Sequence, residues 1–203
     1  MTSNFDYLKP RVYYSEEAGA YRCYQGGLPN ASFTGWVRGD GGWLWFDRSS
    51  EPIRSSWVSD GGAWYYVGAD GLMCTGWKRI GSSWYYFDAS GAMATGWRRV
   101  DDSWSFFAPS GQMQTGWVFD GGSWYWIDPS GQMQVGWQRV GGSWYYLGIN
   151  GAMATGWLRQ GGTWYWLGSS GAMATGWQKV TGEWYYLDTN GAMVTGWEKV
   201  SGL

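Results

Sequence analysis

The sequence contains no histidine among its 203 residues. Without histidine, neither a Ser-His-Asp or Cys-His catalytic set nor a histidine-based metal site can form. Four aspartates share one position of a repeating pattern, where other copies have glycine or alanine: Asp47, Asp88, Asp128 and Asp188. We interpret them as turn residues, because a catalytic pair would not be scattered over repeats in this way. The sequence therefore predicts a protein that is not an enzyme and that carries no cofactor and no metal ion.

Cysteine is almost as scarce, with only Cys23 and Cys74 in the chain. They occupy different positions of the repeating pattern and have no spacing typical of a metal site. A disulfide requires Cα atoms within about 7 Å. Units this far apart in the chain are not expected to meet that requirement, so we predict two free thiols.

Long apolar runs and a charge excess are also missing. No run of about 18 apolar residues occurs, so no membrane span is predicted. The net charge of −2 gives no attraction for the phosphates of nucleic acid. The start, Met1-Thr2-Ser3-Asn4, lacks the charged and apolar regions of a secretory signal. Either a signal lies outside this sequence, or export occurs by another route.

Aromatic residues and glycine are present in unusual excess. The chain has 20 tryptophans, 15 tyrosines and 35 glycines, and aromatics make up 21% of it, far above ordinary globular usage. One tryptophan opens each copy of a 20-residue pattern, at Trp57, Trp77, Trp97, Trp117, Trp137, Trp157, Trp177 and Trp197, with Trp36 21 residues ahead of the first. A fixed period in this range indicates a repeat architecture.

Each copy predicts one β-hairpin. In the copy from Trp77 to Phe87, the pair Gly81-Ser82 separates two aromatic-rich runs and suits a two-residue turn with positive φ. That turn pairs the opening tryptophan, Trp77, with the third aromatic of the second strand, Tyr86. Because side chains alternate along a strand, both lie on one face together with the second tryptophan, Trp84.

The opposite face of each hairpin is predicted to be buried. It carries the middle aromatic, such as Tyr85, and a last position that is always apolar, at Phe46, Val67, Phe87, Phe107, Ile127, Leu147, Leu167 and Leu187. A lone two-stranded hairpin is marginal in water, so the copies must stack. The predicted fold is an all-β solenoid of stacked two-stranded hairpins with about 20 residues per repeat.

The two ends of the chain depart from the pattern. We interpret residues 1–35 as a degenerate N-terminal cap hairpin, since terminal repeats are usually atypical; a remnant of a separate module is the alternative. Residues 36–203 form an array of eight hairpins plus a partial one that begins at Trp197. Either that strand stays unpaired or the native protein continues, and an unpaired edge at the C-terminal end could serve as a homodimer contact.

The face with two tryptophans has three interpretations. Convergent rings suit a quaternary ammonium, which is weakly hydrated and cannot donate strong hydrogen bonds, and each contact contributes roughly 0.5–2 kcal/mol. The same rings could stack on sugars. Alternatively, basic residues predicted on this face fill the space themselves as structural cation–π contacts: Arg79, Arg99, Arg139 and Arg159.

One copy carries a family resemblance. Thr155-Gly156-Trp157, then Trp164-Tyr165-Trp166-Leu167, then Gly171-Ala172-Met173 resembles the choline-binding, or cell-wall-binding, repeat of surface proteins and lysins of Gram-positive bacteria, over residues 36–203. The resemblance implies a left-handed superhelix, phosphocholine of teichoic acids as ligand, and a location outside the cell, at its surface or wall. It also implies sites between consecutive hairpins, each made of two tryptophans, an aromatic from the next hairpin and a linker methionine.

Carried over to this sequence, that pattern predicts six choline sites. They are Trp57, Trp64, Met73 and Tyr86; Trp77, Trp84, Met93 and Phe106; Trp97, Trp104, Met113 and Trp126; Trp117, Trp124, Met133 and Tyr146; Trp137, Trp144, Met153 and Trp166; and Trp157, Trp164, Met173 and Tyr186. Trp36 with Trp43 lacks a methionine, and Trp177 with Trp184 lacks a following hairpin, so both are expected to be incomplete.

Two alternatives to choline remain. Related repeats in glucan-binding glucosyltransferases and clostridial toxins bind carbohydrate, although their copies are generally richer in tyrosine. The dense tryptophan here favours choline. A structural or dimerisation rod, with no ligand, is the other alternative.

Overall fold

A computed structural model describes residues 10–16, 20–25, 28–30 and 32–196. The described residues form strands, turns and bends and no helix, as predicted. The strands are β1 (Arg11–Ser15), β2 (Ala20–Gln25), β3 (Leu28–Pro29), β4 (Thr34–Gly39), β5 (Gly42–Asp47), β6 (Ser56–Asp60), β7 (Ala63–Val67), β8 (Gly76–Ile80), β9 (Ser83–Phe87), β10 (Gly96–Val100), β11 (Ser103–Phe107), β12 (Gly116–Asp120), β13 (Ser123–Ile127), β14 (Gly136–Val140), β15 (Ser143–Leu147), β16 (Gly156–Gln160), β17 (Thr163–Leu167), β18 (Gly176–Val180) and β19 (Glu183–Leu187).

The first three strands form one small sheet in the order β1-β2-β3. Val12 lies opposite Cys23 in its antiparallel β1–β2 pair. Cys23 is fully buried in a cluster with Leu44 and Phe46, and burial raises the pKa of its thiol. Cys23 and Cys74 are both free, as the sequence predicts.

From β4 onward every hairpin is a separate two-stranded sheet, in consecutive pairs from β4-β5 to β18-β19. The register in β8–β9 is the one predicted: Trp77 lies opposite Tyr86, and Arg79 lies opposite Trp84. From Gly61-Gly62 onward the first residue of every two-residue turn has positive φ, and both residues do so at the non-glycine turn Asp101-Asp102, with φ of 49° and 65°. The first turn, Asp40-Gly41, does not. Turn geometry thus sets the register of each hairpin.

The apolar residue at or next to the end of the second strand forms the buried core of each repeat. The residue at this position is 0% exposed in all eight hairpins, as predicted. In the linker that follows, the methionine forms a β-bridge with it, as in Leu167 with Met173. The longer linker after β5 has Pro52 in that place, bridged to Phe46, and Arg48 and Ser55 adopt φ of 50° and 47°. These positive angles are the local distortion expected from the extra residue.

Asp88, Asp128 and Asp188 are turn residues, as predicted, whereas Asp47 is the last residue of β5 and lies opposite Thr34, so the prediction is wrong for Asp47. The Asp128 carboxylate accepts hydrogen bonds from the Ser130 amide at 2.9 Å and from the Gln132 amide at 3.0 Å. Partial burial acts to raise the pKa of Asp128, but the Ser130 hydroxyl and the backbone amides outweigh it and lower that pKa. Asp188 accepts the equivalent amide bonds from Asn190 and Ala192.

The Gly-x-Met motif joins consecutive linkers. Gly171 has φ of +80°, and a Cβ built on it would overlap the Met153 side chain of the preceding linker. The same relation holds between Gly91 and Met73, and between Gly151 and Met133. Glycine therefore meets two needs here, a left-handed backbone and space for a methionine.

The chain divides into two compact units, one of Met1–Gly96 and Phe107–Met113, the other of Trp97–Phe106 and Gln114–Leu203. In each unit, consecutive linkers are held by backbone hydrogen bonds to earlier hairpins. The Met93 amide donates to the Trp64 carbonyl in the first unit, and the Met193 amide donates to the Trp164 carbonyl in the second. In the described part of the chain, no helix has the length and apolar character that crossing a bilayer requires.

Candidate ligand-binding site

Each candidate site begins with two tryptophans of one hairpin. Trp157 and Trp164 lie diagonally on one face, with ring centroids 6.2 Å apart and ring planes at 85°. Trp117 and Trp124 repeat this geometry at 6.5 Å and 89°. The second tryptophan is exposed in every described hairpin, at 42% in Trp144. Solvent therefore reaches the indoles, which a binding surface requires.

The third ring comes from the middle aromatic of the next hairpin. Trp137 packs edge-on against Tyr165, with ring centroids 5.0 Å apart. The same contact, at 4.8 to 5.3 Å, joins Trp36 to Tyr65, Trp57 to Tyr85, Trp97 to Tyr125, Trp117 to Tyr145, and Trp157 to Tyr185. Two indoles and a tyrosine thus converge.

This arrangement corrects the predicted third ring. Each third aromatic pairs with the opening tryptophan of its own hairpin, as its cross-strand partner. The pairs are Tyr86 with Trp77, Phe106 with Trp97, Trp126 with Trp117, Tyr146 with Trp137, Trp166 with Trp157, and Tyr186 with Trp177, at 5.0 to 5.3 Å. The physical reason is that the tryptophan face of one hairpin stacks on the middle-aromatic face of the next. The prediction had instead placed the third aromatic in the site, although that residue lies on the tryptophan face of its own hairpin.

The methionine of each site also shifts by one linker. The Met173 amide donates to the Trp144 carbonyl at 2.8 Å, so Met173, and not Met153, lies beside that tryptophan. By the same bond, Met73 lies beside Trp43. The predicted methionines Met73, Met93, Met113, Met133, Met153 and Met173 therefore each belong to the site of the preceding hairpin. The linker methionine thus bridges its own hairpin, as in Leu167 with Met173, and also bonds to the hairpin before it.

The shift also changes the first site. Trp36 and Trp43 were expected to lack a methionine, but Met73 bonds to Trp43 and Tyr65 packs on Trp36 at 5.3 Å. All four residue types are therefore present around this tryptophan pair. We call the set of opening tryptophan, second tryptophan, next middle tyrosine and following methionine a cage.

Two cages of the second unit line cavities that open to solvent. One, of about 330 Å³, is lined by Trp137, Trp144, Tyr165, Met173, Thr189 and Asn190. The other, of about 380 Å³, is lined by Trp97, Trp104, Tyr125, Met133, Ile149 and Asn150. Neither wall carries a charged side chain, and Arg139 does not fill the first. Sequence reasoning missed Ile149 and the two asparagines, because they belong to a linker two hairpins further on.

Basic side chains approach the second tryptophan in two hairpins. The Arg159 Cζ atom lies 5.9 Å from the Trp164 ring centroid, and the Lys179 Nζ atom lies 6.0 Å from that of Trp184. These distances are at the outer limit of a cation–π contact. The predicted structural contact is thus present at Arg159, and Lys179 makes a second one that was not predicted.

One cage tryptophan is fixed by a carboxylate. The Trp97 indole N–H donates to the Asp120 carboxylate at 3.1 Å, which holds the ring plane and brings a negative charge to the cage. Asp120 was not predicted. Most equivalent positions carry valine, isoleucine or glutamine. A carboxylate at this position is therefore the feature of the sequence that could have indicated its role.

The hairpin of Trp77 and Trp84 differs from the others. Trp77 packs on Phe107 at 5.6 Å with a tilt of 37°. The middle aromatic of the following hairpin is replaced by Ser105, which is 3% exposed and donates its hydroxyl hydrogen to the Gly131 carbonyl at 2.7 Å. This replacement removes the tyrosine that defines the other cages.

The C-terminal site cannot be completed from the described residues. Trp177 and Trp184 are exposed, and the partial hairpin at Trp197, with its expected dimer contact, lies outside the described part of the chain. Within the described residues, no cluster of three potential metal ligands occurs.

The repeats match a known family. The model of the choline-binding repeat matches residues 53–95, 94–135, 134–176 and 174–202. The chain therefore belongs to the choline-binding repeat family. A comparison with curated proteins returned no match.

Solved structures from Streptococcus pneumoniae share the fold. Choline-binding protein F is 40% identical, with a TM-score of 0.71, over 75% of this chain and 55% of its own. CbpJ is 34% identical, with a TM-score of 0.76, over 86% of this chain and 70% of its own. The choline-binding domain of CbpL is 33% identical, with a TM-score of 0.62, over 80% of this chain and 87% of its own. The chain thus spans about half the length of the solved choline-binding protein F.

Proposed function

We propose that this chain is a non-catalytic attachment module that binds choline or phosphocholine on cell-wall teichoic acids. The observation that carries the proposal is the uncharged cavity of Trp137, Trp144, Tyr165 and Met173, in which two indoles and a phenol ring converge. Membership of the choline-binding repeat family supports the same ligand.

The cage chemistry suits a trimethylammonium group. Such a cation is weakly hydrated and has no N–H to donate, so it loses little on leaving water and gains from several electron-rich ring faces. Each ring contributes roughly 0.5–2 kcal/mol, more when the contact excludes water. A methionine side chain adds a polarisable apolar wall that adapts to the methyl groups.

In the described part of the chain, six cages have the complete set of residues. They are Trp36, Trp43, Tyr65 and Met73; Trp57, Trp64, Tyr85 and Met93; Trp97, Trp104, Tyr125 and Met133; Trp117, Trp124, Tyr145 and Met153; Trp137, Trp144, Tyr165 and Met173; and Trp157, Trp164, Tyr185 and Met193. Weak sites in series bind a polymer with many choline groups by avidity.

The proposed place of action is the cell surface or wall, where such polymers lie. We further propose that the N-terminal hairpin caps the array. The Cys23 amide donates to the Ser50 carbonyl at 3.0 Å, and Arg22 forms an ion pair with Glu51 at 2.7 Å. Both contacts tie the hairpin to the linker that follows β5, where it covers an otherwise open end.

Retention on a trimethylammonium resin tests the proposal. The chain is expected to bind the resin and to elute with free choline, and not with soluble glucans. Elution by glucans alone would instead indicate a carbohydrate-binding module, and failure to bind the resin would indicate a structural rod. A variant with Trp144→Ala and Trp164→Ala, which opens two cages, is the control and is expected to elute at a lower choline concentration.

A further inference from the structure

One hairpin carries an aromatic residue where its neighbours carry a cation. Phe119 lies two residues after the opening tryptophan Trp117, opposite Trp124 in the β12–β13 register. The corresponding residues are basic in six other hairpins, at Arg38, Arg79, Arg99, Arg139, Arg159 and Lys179, and Ser59 holds this position in the Trp57 hairpin. In two of those hairpins the cation lies about 6 Å from the second tryptophan ring.

Phe119 extends the aromatic surface beside its cage. Its ring centroid is 5.1 Å from that of Trp124, with a tilt of 51°, and its side chain is 58% exposed. Trp124 in turn lies at right angles to Trp117, which packs on Tyr145 at 4.9 Å. The rings of Tyr145, Trp117, Trp124 and Phe119 therefore form one continuous aromatic surface, which extends from the cage to the solvent-exposed Phe119.

Two physical consequences distinguish this site. A basic side chain near a cage repels a cationic ligand, and that repulsion is absent here because Phe119 is neutral. An exposed ring beside a cage also leaves apolar area in water that a bound molecule can cover. A ligand with a bare trimethylammonium head gains only from the first effect, and one with an attached flat apolar group gains from both.

Resting on the proposed choline cages, we infer that the Trp117–Trp124 cage is an extended subsite for quaternary ammonium compounds that carry a flat apolar substituent. The ammonium group occupies the space among Trp117, Trp124 and Tyr145. The substituent lies on the Phe119 ring. The cages that carry a basic residue at that position prefer the smaller choline.

The methionines allow each cage to be followed separately. The chain has 8 methionines, and one amide bonds to the second tryptophan of each cage, Met153 to Trp124 and Met173 to Trp144. Methyl-labelled methionine would be followed by NMR during titrations with choline and with benzyltrimethylammonium. Comparing the two dissociation constants at each methyl group gives a preference ratio for each cage.

The inference predicts a preference for benzyltrimethylammonium over choline that is about fivefold larger at Met153 than at Met173, the order of one added aromatic contact. Phe119→Arg is expected to lower the Met153 ratio to that of Met173, and Arg139→Phe to raise the Met173 ratio. Equal ratios at both methyl groups in the unaltered chain would overturn the inference alone. Absence of any methyl response to choline would overturn the proposed function as well, so the two failures are distinguishable.

Discussion

The identity of the third ring is the sharpest point on which structure and sequence differ. Tyr165→Leu removes the ring that contacts Trp137, whereas Trp166→Leu removes the ring that contacts Trp157. The two substitutions are neighbours in the chain and each breaks one edge-on contact of about 5 Å. They are therefore a matched pair whose effects are predicted to fall on different cages.

The expected loss follows from the cage geometry. Tyr165 is one of three rings around a cavity of about 330 Å³ whose second tryptophan is half-exposed. One cation–π contact at such a site contributes about 1 kcal/mol, which corresponds to about a fivefold rise in the dissociation constant for choline. Each substitution also removes an aromatic pair, at a cost in folding stability of about 0.5–1.5 kcal/mol, so stability falls equally in both.

The methionine methyl groups again provide the assay. In a choline titration followed by NMR, Tyr165→Leu should weaken the response of Met173, the methionine that lines this cavity, and leave the other methionines near their original values. Trp166→Leu should leave Met173 unchanged. The reasoning is refuted if Trp166→Leu weakens Met173 and Tyr165→Leu does not, because the third aromatic would then face the ligand as the sequence analysis assumed.

Two further predictions concern contacts outside the rings. Gly171→Ala should lower the urea midpoint of unfolding more than Gly162→Ala. Both glycines have positive φ, with a backbone penalty of about 1–2 kcal/mol each, but only a Cβ on Gly171 would overlap Met153. Equal midpoints for the two variants would contradict the role of the linker glycine. Asp120→Ala should weaken choline binding two- to threefold at the Trp97 cage alone, which is about the contribution of one exposed hydrogen bond. The measurement is the choline titration of the methionine methyl group of that cage. An unchanged titration there would show that the carboxylate does not orient the indole.

Local chemistry made most of the fold predictable. The turn pair in each copy, such as Gly81-Ser82, determines which residues lie opposite each other. The register of β8–β9 could therefore be predicted from the sequence. Alternation along the strand then separated the two faces, and the invariably apolar position ending at Leu187 identified the buried one. The proposal of choline as the ligand rests on the same repeat, through its family resemblance.

Contacts between hairpins could not be predicted in the same way. Alternation states which side chains share a face, but it does not state which face of one hairpin meets which face of the next. Tyr165 and Trp166 are adjacent aromatics of similar size, and only the stacking of one hairpin on another decides that Tyr165 reaches Trp137.

The sequence by itself thus determined the hairpins, their register and the buried residue of each, because each depends on chemistry within about ten residues of chain. The tertiary structure decided which tyrosine and which methionine complete a cage, how Asp120 holds Trp97, and that Phe119 packs on Trp124. These depend on the rotation and offset between successive hairpins, which arise from packing 20 to 40 residues apart and leave no periodic signal in a single copy.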